Sequence, residues 1–331
     1  MHSAASRVSG ADDASWPALS YAEGRDTLET LHLWAQIVGK VRLALSPWVN
    51  HSWHATLYVT GRGLTTSPIP HGSRSFEIEF DFVDHALLVN TIDGHAWQMP
   101  LEPRSVATFH AELMAGLGDL GLPVRIHGTP NELPDPIPFD EDETHASYDA
   151  DYSNRLWQAF AQSSRVFTWF RAGFQGKVSP VHLFWGALDL AVTRFSGREA
   201  PLHPGGIPNL PDRVTREAYS HEVSSAGFWA GNAMVPYPAY YSYAYPTLDG
   251  FADAVTDVPG AEWNAELGEY LLPYDAVRSA SDPDDLLARF LEATYVAAAR
   301  LGGWDRAALE RSRTAPTDEE WADSASEGVA T

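Results

Sequence analysis

The chain has 331 residues, 44% of them hydrophobic, and is therefore long and apolar enough to form a packed core. Its 44 acidic and 22 basic residues give a formal net charge of −22, which repels nucleic acids and anionic membranes and argues against both as partners. The absence of cysteine excludes disulfides, thiolate metal sites and cysteine nucleophiles.

The N-terminus has no apolar segment typical of a secretion signal, and no run approaches about 18 consecutive apolar residues. We therefore expect a cytoplasmic protein, a monomer or homodimer, whose partner is a small-molecule ligand. Only Lys40 and Lys177 are lysines, and arginine supplies the other cations, a bias typical of GC-rich bacterial genomes.

Residues 21–130 are predicted to form a first α+β unit, after a flexible lead-in at residues 1–20. Apolar residues at helical spacing predict a helix that begins near Asp26 and ends before Pro47. Asp26 and Glu29 resemble a capping box, which favours this start of the helix.

Strands follow the first helix in the predicted order of elements. The stretch SPWVNHSWHATLYVTGRG, residues 46–63, is predicted to be a strand, and the alternation after it predicts a β-meander with a tight turn at Asp93 and Gly94. A second helix is predicted with an apolar side from Val106 to Leu120, and the stretch PVRIHG is predicted to be a closing strand.

An acidic, proline-rich connector at residues 131–152 leads to a second α+β unit at residues 153–308, in which a helix precedes several strands. Asp282, followed by Pro283, is the predicted N-cap of the final helix. Residues 309–331 are predicted to be a disordered acidic tail.

An internal repeat is predicted from matched residues in the two units. The same interval separates three pairs: Trp53 and Trp185, Arg62 and Arg194, and His71 and His203. The order of elements is also shared, so we predict an α+β fold with an internally duplicated helix–antiparallel β-meander–helix unit, two sheets covered by helices, and a pseudo-two-fold axis. Facing sides of the sheets would then form the walls of a pocket.

Two histidines, His51 and His54, flank a tryptophan in the predicted strand at residues 46–63. Alternate side chains of a strand point to opposite faces, so joint metal ligation needs His51 to lie in a loop or at a bulge. His54 and Tyr58 share a face that is either solvated or a pocket wall. In a pocket, His54 would transfer protons and Tyr58 would orient the substrate.

The stretch SPVHLFWGALDLAVTRFSGRE is predicted to be a single strand, with His182 and Arg194 on one face and Trp185 and Asp189 on the other. His182 is either a core residue or a metal ligand. Asp189 stands between two leucines, where a carboxylate costs free energy unless it is solvated, paired or in use, so it is a catalytic candidate. Arg194 forms a structural salt bridge or binds an anionic group of the substrate.

The adjacent His221 and Glu222 are the remaining acid/base candidates, because histidine titrates near neutrality and burial can raise the pKa of a glutamate. The alternative for this segment is a polar edge strand. Trp53, Trp185 and Tyr243 make the predicted strands unusually aromatic, and they either pack in the core or line a pocket for a planar or apolar substrate.

Motifs of several enzyme and cofactor classes are missing from the sequence. It contains no P-loop, no glycine-rich dinucleotide fingerprint, no GxSxG and no His-Glu-x-x-His pattern. No nucleotide cofactor is therefore expected, and the cofactor is otherwise unknown. A transition metal is an open alternative, with candidate ligands His51, His54, His182 and His221.

Four blocks of the sequence carry a resemblance to a known family. They are the stretch from Trp16 to Pro70, IPFDEDETHASYD, SPVHLFWGALDLAVTRFSGR and EAYSHEVSSAGFW. Together they resemble an uncharacterised bacterial domain-of-unknown-function family, number 5996, over about residues 16–304. The resemblance implies a single family-sized module, and it implies no reaction, cofactor or catalytic residue.

Three functions follow as hypotheses. The first is an enzyme that acts on a small organic molecule by acid/base chemistry in an aromatic-lined pocket between the two halves. The second is a non-catalytic protein that binds or senses a small molecule in the same pocket, and the third is a mononuclear metal enzyme with histidine ligands. The proposed site consists of the catalytic candidates His54, His221, Glu222 and Asp189 and the substrate-binding candidates Trp53, Tyr58, Arg194, Trp185 and Tyr243.

Overall fold

The computed structural model describes residues 15–255 and 257–311, and over these ranges the chain combines helices with two antiparallel sheets. The helices are α1 (Tyr21–Leu45), α2 (Val106–Asp119), α3 (Ala150–Ala172), α4 (Asp212–Ala218), α5 (Tyr274–Arg278), α6 (Pro283–Leu301) and α7 (Arg306–Leu309). The strands of the first sheet are β1 (Tyr58–Val59), β2 (Gly63–Thr65), β3 (Ile69–His71), β4 (Arg74–Asp81), β5 (Ala86–Thr91) and β6 (Ala96–Pro100). Those of the second are β7 (His182–Phe184), β8 (Asp189–Glu199), β9 (His221–Trp229), β10 (Ala239–Tyr245), β11 (Glu262–Asn264) and β12 (Glu269–Pro273). The predicted α+β class is confirmed.

The first sheet has the strand order β1-β2-β4-β5-β6, and β3 pairs with β4 beside this path. Helices α1 and α2 are joined to it by a stack of aromatic rings. Trp34 of α1 lies on Phe109 of α2 with ring centroids 4.6 Å apart, and Phe109 lies 6.3 Å from Phe80 of β4. All three side chains are buried, so the stack ties two helices and the sheet into one core.

The second sheet has the order β11-β12-β10-β9-β8-β7. On one face, Leu190 and Phe228 are buried, and the Tyr240 hydroxyl lies 2.9 Å from Ser163 Oγ of α3. Because side chains alternate along a strand, the intervening residues of β8, including Asp189, lie on the other face. The second sheet therefore has one face covered by α3 and an opposite face that carries Asp189.

The first residues of two helices can be compared with the helix starts predicted from the sequence. Helix α6 begins at Pro283, and the Asp282 carboxylate accepts a hydrogen bond from the Asp285 backbone N–H at 3.0 Å, so the predicted cap is confirmed. Helix α1 begins at Tyr21 rather than near Asp26, because Ser20 caps it one turn earlier.

The predicted strand at residues 46–63 is wrong over most of its length. Asn50 to Ser52 form a short 3₁₀ turn in which His51 has φ 57° and Ser52 has φ 59°, and the left-handed backbone breaks the alternation that a strand needs. The predicted strand from His182 is a β7–β8 hairpin, and Leu188 has φ 53° in its turn. The stretch PVRIHG, which is described throughout, forms no strand.

The core is continuous across the predicted unit boundaries. One cluster of buried apolar side chains extends from Trp16 to Trp304 and includes residues of both predicted units. The predicted flexible lead-in lies outside the described residues up to residue 14, but Trp16 within it is buried, and the predicted tail lies outside them from residue 312. Internal duplication stays a prediction, and one matched pair does not occupy equivalent positions: Arg62 precedes β2, whereas Arg194 lies within β8.

Candidate functional site

A cavity of about 930 Å³ lies against the uncovered face of the second sheet. Its walls are strands β8 to β10, the C-terminal half of α1, the turn at residues 48–55, the segment at residues 127–132 and the cover at residues 207–219, which includes α4. Cavities of this size hold small organic ligands.

The sheet wall carries hydroxyl groups that bind one another. Thr193 Oγ1 of β8 and Ser225 Oγ of β9 are 2.8 Å apart on residues that are direct cross-strand partners. The hydroxyl oxygens of Tyr219 and Tyr243 are also 2.8 Å apart. These four hydroxyl groups of the wall therefore already have hydrogen-bond partners.

The Asp189 carboxylate accepts a hydrogen bond from the Tyr241 hydroxyl, although β9 separates their strands in the sheet. The tyrosine ring crosses β9 at Gly227, which stands directly opposite Tyr241 in the register. A Cβ atom on Gly227 would lie 2.4 Å from Tyr241 Cζ and 2.5 Å from the Leu190 carbonyl oxygen. The missing side chain at position 227 thus permits the contact between tyrosine and carboxylate.

Three carboxyl groups near this contact titrate close to neutrality. Burial raises the pKa of Asp189 to about 6, and the hydrogen bond from Tyr241 opposes this rise. Burial and the negative charge of Asp189 raise the pKa of Glu132 to about 7 and that of Glu269 to about 7. Because Asp189 and Glu132 both line the cavity, its wall can hold or release protons in the range that acid/base catalysis uses.

A row of polar residues on α1 holds the loop that carries Glu132. His32, Gln36 and Lys40 are spaced four residues apart and share one side of the helix. The Gln36 amide accepts from the Asn131 backbone N–H at 2.8 Å and donates to the Asn131 carbonyl oxygen at 2.9 Å. These contacts fix the backbone beside Glu132, whose carboxyl packs so closely on Gly186 that a Cβ atom there would lie 1.9 Å from Glu132 Oε1.

Lys40 is a buried amine in the cavity wall. Its side chain is 3% exposed, and Nζ donates a hydrogen bond to the Thr129 carbonyl oxygen at 2.6 Å. The rings of Phe139 and Trp185 lie 5.6 and 6.0 Å from Nζ. Burial lowers the pKa of Lys40 to about 8.

The two tryptophans predicted to bind substrate, Trp53 and Trp185, both line the cavity. The Trp185 indole N–H donates to the Ala55 carbonyl oxygen at 2.6 Å. His51 also lines the cavity, but both of its ring nitrogens have partners: Nδ1 donates to the Ala218 carbonyl oxygen at 3.0 Å, and Nε2 accepts from Lys177 at 2.7 Å. Burial lowers the pKa of His51, which favours the neutral ring.

The cover at residues 207–219 is attached at both ends. Near its start, the side-chain amide of Asn209 donates to the Leu133 carbonyl oxygen at 2.6 Å, and the backbone N–H of Glu132 donates to the Pro208 carbonyl oxygen at 2.9 Å. Near its end, the Trp48 indole N–H donates to Glu217 at 2.6 Å. The cover and the segment at residues 131–133 therefore close the cavity together.

Of the residues predicted from the sequence, the structure brings Asp189, Trp53, Trp185, Tyr243 and the metal candidate His51 to the cavity. Asp189, Thr193 and Tyr243 come from the same face of neighbouring strands, as alternation requires.

His54 and Tyr58 do not line this cavity, because the only strand that forms here is the short β1, which begins at Tyr58 and belongs to the first sheet. The His54 ring is buried, lies 4.7 Å from Trp48 between centroids, and accepts a hydrogen bond at Nδ1 from the Val49 backbone N–H at 3.1 Å. The Tyr58 ring faces the Arg42 guanidinium at 5.2 Å. Both side chains therefore contact residues that precede the first sheet in the chain.

His221 and Glu222 begin β9, which is not an edge strand, because it pairs with β8 and β10. His221 lines a separate cavity of about 260 Å³ that also includes Arg216 and Tyr219. Glu222 forms an ion pair with Arg198 at 2.7 Å. The structure therefore does not bring these two candidates to the wall that holds Asp189.

His182 and Arg194 are buried away from the cavity. The Arg194 guanidinium lies 3.5 Å from the centroid of Phe170 and 4.2 Å from that of Tyr295, and its Nη1 is 3.6 Å from Glu292. Strand alternation puts it on the helix-covered face, opposite Asp189. Burial lowers the pKa of His182 to about 3, so its ring is neutral at pH 7.

The four histidines considered as metal ligands do not converge in the fold. His51 and His221 come within 6.0 Å between ring centroids. Over residues 15–255 and 257–311, no group of three or more histidine, aspartate or glutamate side chains is arranged to hold a metal ion.

Glu132, Lys40 and Tyr219 are among the cavity residues that sequence reasoning missed. Lys40 had a usable signal, because it is one of two lysines and continues the polar row of His32 and Gln36 along a helix. Glu132 and Tyr219 lie in connecting segments that carry no periodic pattern, so only the folded chain relates them to Asp189.

No helix within residues 15–255 and 257–311 has the length and apolar character needed to cross a bilayer. Comparisons with curated proteins and with solved structures found no match to the chain. A family described as DUF5996, a family of unknown function, matches residues 16–311, which is nearly the whole chain. The chain therefore belongs to the DUF5996 family.

Proposed function

We propose that the protein is an enzyme that acts on a small organic molecule by acid/base chemistry in the 930 Å³ cavity, with Asp189 as the group that transfers protons. The observation that carries the proposal is the Asp189 carboxyl group, which lines the cavity, accepts a hydrogen bond from Tyr241 and has a pKa raised to about 6. A general acid or base works best when its pKa lies near the working pH.

The surroundings of Asp189 support a proton-transfer role. Tyr241 holds one carboxylate oxygen in place, and Glu132 adds a second titratable carboxyl group to the same cavity. Trp53, Trp185 and Tyr243 supply rings on which a planar or apolar substrate can pack. This assignment retains Asp189 from the sequence-based site, and Glu132 replaces the histidines and Glu222 as its partner.

The proposal is tested by turnover of an unknown substrate. The purified protein is incubated with a metabolite extract at pH 7, and untargeted mass spectrometry follows which small molecules disappear and which appear. We expect a substrate–product pair with the wild type, and a loss of about 10²-fold or more in rate with Asp189→Asn, because an amide cannot exchange the proton. Asp285→Asn, an exposed substitution on α6, is the matched control and keeps the wild-type rate.

A second function, non-catalytic binding of a small molecule in the same cavity, is favoured by a different observation. The hydroxyl groups of Tyr219 and Tyr243, and those of Thr193 and Ser225, bind each other and leave the wall stable without a reacting group. In that case a small molecule co-purifies with both the wild type and Asp189→Asn, and neither converts it. Turnover that Asp189→Asn leaves unchanged contradicts the assignment of proton transfer to Asp189, and a wild type that converts no molecule of the extract contradicts the enzyme proposal.

A further inference from the structure

Lys40 is the chemically reactive group of the cavity that the proposed function leaves unused. It lines the cavity and is 3% exposed, so its amine is nearly free of bulk water. Its Nζ has one hydrogen bond, to the Thr129 carbonyl oxygen at 2.6 Å, and it forms no ion pair with any residue in 15–255 or 257–311. Surface lysines rarely combine burial with the absence of an ion pair, because their amines are solvated or paired with carboxylates.

The environment of Lys40 favours a nucleophilic amine. A lysine that is removed from water and lacks a negative partner loses its proton more easily, and burial lowers the pKa of Lys40 to about 8. In the neutral amine, one N–H can donate to the Thr129 carbonyl oxygen while the lone pair stays available. The rings of Phe139 and Trp185, 5.6 and 6.0 Å from Nζ, attract an ammonium only weakly at this distance and supply no negative counter-ion.

The distribution of lysine in the chain points to the same position. Arginine supplies every cationic side chain except Lys40 and Lys177. Lys177 does not line the cavity; its Nζ is 2.7 Å from His51 Nε2 and 5.5 Å from the Trp53 ring, which do. Arginine gives up its proton at no ordinary pH, so a position that requires a neutral amine is one at which lysine cannot be exchanged for arginine.

We propose that Lys40 forms a Schiff base with the carbonyl group of an aldehyde or ketone substrate bound in the cavity. The inference rests on the proposed function, whose substrate it assigns to carbonyl compounds. The Lys40 lone pair attacks the carbonyl carbon, the nitrogen loses two protons, and the carbonyl oxygen leaves as water, so that a C=N bond replaces the C=O bond. The step balances without an oxidant or a reductant.

The test uses benzaldehyde as the probe, because its ring suits the aromatic walls, and borohydride, which reduces an imine to a stable secondary amine. The full-length protein is incubated with the probe at pH 7 and reduced, and peptide mass spectrometry locates the label. We expect Lys40 to be labelled at least about tenfold faster than Lys177 or free N-acetyl-lysinamide. Lys40→Arg loses this label, and the matched variant Lys177→Arg retains it.

A second measurement keeps the inference testable if Lys40→Arg fails to fold. In the wild type, the rate of labelling at Lys40 rises with pH and reaches half of its maximum near pH 8, where the amine is half neutral. N-acetyl-lysinamide reaches half of its maximum at a higher pH, near the ordinary lysine pKa of about 10.4.

Two results separate the inference from the function on which it rests. If benzaldehyde binds in the cavity by ligand-detected NMR, but Lys40 is labelled no faster than N-acetyl-lysinamide, the Schiff base is wrong and the proposed cavity stands. Preferential labelling at Lys177 also overturns it. If benzaldehyde at millimolar concentration neither binds nor labels, the carbonyl assignment is wrong, and the turnover experiment above decides the proposed function by itself.

Discussion

At the scale of single residues, the proposed proton transfer depends on the contact between Asp189 and Tyr241. The carboxylate accepts from the tyrosine hydroxyl, and this hydrogen bond lowers the pKa of Asp189 against the larger effect of burial. Hydrogen bonds to a charged group are worth about 1.5–3 kcal/mol, and about 1.4 kcal/mol corresponds to one pKa unit. The tyrosine thus offsets part of the rise in the pKa of Asp189 that burial causes.

Removing this hydrogen bond is predicted to raise the pKa of Asp189 further. Tyr241→Phe deletes the donor and keeps the ring, so the charged carboxylate loses its stabilising partner and the pKa rises by roughly one unit or more. The shift is measured by ¹³C NMR titration of the Asp189 carboxyl carbon. Tyr237→Phe, at an exposed tyrosine, is the control and leaves the titration unchanged. A pKa that falls or stays constant in Tyr241→Phe contradicts the assigned contact.

Glu132 predicts a pH dependence of stability. Its pKa in the folded protein is raised to about 7 from an ordinary value of 4.5, so the folded state binds the proton more tightly, and the contribution of Glu132 to stability falls as the pH rises from about 4.5 to about 7. Glu132→Gln removes this loss. Its stability relative to the wild type should therefore increase by ~1–3 kcal/mol between pH 5 and pH 7.5.

The measurement is urea unfolding of both proteins across this pH range. Glu141→Gln, at an exposed position of the connector, is the matched control for the loss of one negative charge. If the difference in stability between Glu132→Gln and the wild type is constant with pH, folding does not raise the pKa of Glu132, and the burial assigned to its carboxyl group is wrong.

Residues of the site differ in how far the sequence predicts them. Asp189 is predictable, because an acid between two leucines in an apolar stretch stands out against its neighbours. Lys40 and Glu132 acquire their meaning only when α1 meets the segment at residues 127–132. That meeting is a tertiary event, and no local pattern encodes it.

At the scale of elements, β9 determines whether the site forms. It separates β8 from β10, so the Asp189–Tyr241 contact needs a strand residue without a side chain, and Gly227 supplies it. Glycine inside a strand lowers the stability of the strand, and its presence at position 227 is explained by the close approach of the Tyr241 ring.

Gly227→Ala is predicted to destabilise the protein by ~1–3 kcal/mol and to displace Tyr241. The added Cβ atom would lie 2.4 Å from Tyr241 Cζ and 2.5 Å from the Leu190 carbonyl oxygen, and the backbone oxygen cannot move aside. Gly118→Ala is the control, because a Cβ atom on this helical glycine meets nothing within 4 Å, and alanine favours a helix by about 0.5–1 kcal/mol. Thermal unfolding of the two variants should shift in opposite directions. Equal shifts contradict the crossing at Gly227.

Elements with strong local sequence signals are predictable, whereas segments whose shape depends on left-handed residues other than glycine are not. The turn at Asp93 and Gly94 forms as predicted, with Gly94 at φ 83°, and α6 begins at its predicted cap. The segment at residues 46–63 reads as a strand by composition, but left-handed residues at His51 and Ser52 turn it into the rim of the cavity. Such residues are uncommon outside glycine, and the sequence marks them weakly.

At the scale of the whole molecule, the α+β class was predictable from the succession of helical and alternating segments. The expected pocket lies between two equivalent halves, and the cavity is lined by α1 and the turn at residues 48–55 of the first predicted unit and by β8 to β10 and the cover of the second, while the equivalence of the halves stays a prediction. The cover and the 127–132 segment close it through contacts between residues about 75 positions apart, such as Pro208 with Glu132. Contacts of this kind depend on the finished fold.

The central claim is that this cavity holds a small organic molecule, and native mass spectrometry of the purified protein tests it most directly. Ala191→Phe fills the cavity from β8, and Ala187→Phe adds the same side chain at an exposed turn position as the control. We predict that the wild type and Ala187→Phe carry a bound small molecule at up to one per chain, and that Ala191→Phe has lost it while keeping its fold by circular dichroism. A molecule that stays bound to Ala191→Phe, or a wild type that carries none and takes up none from a metabolite extract, would contradict the claim.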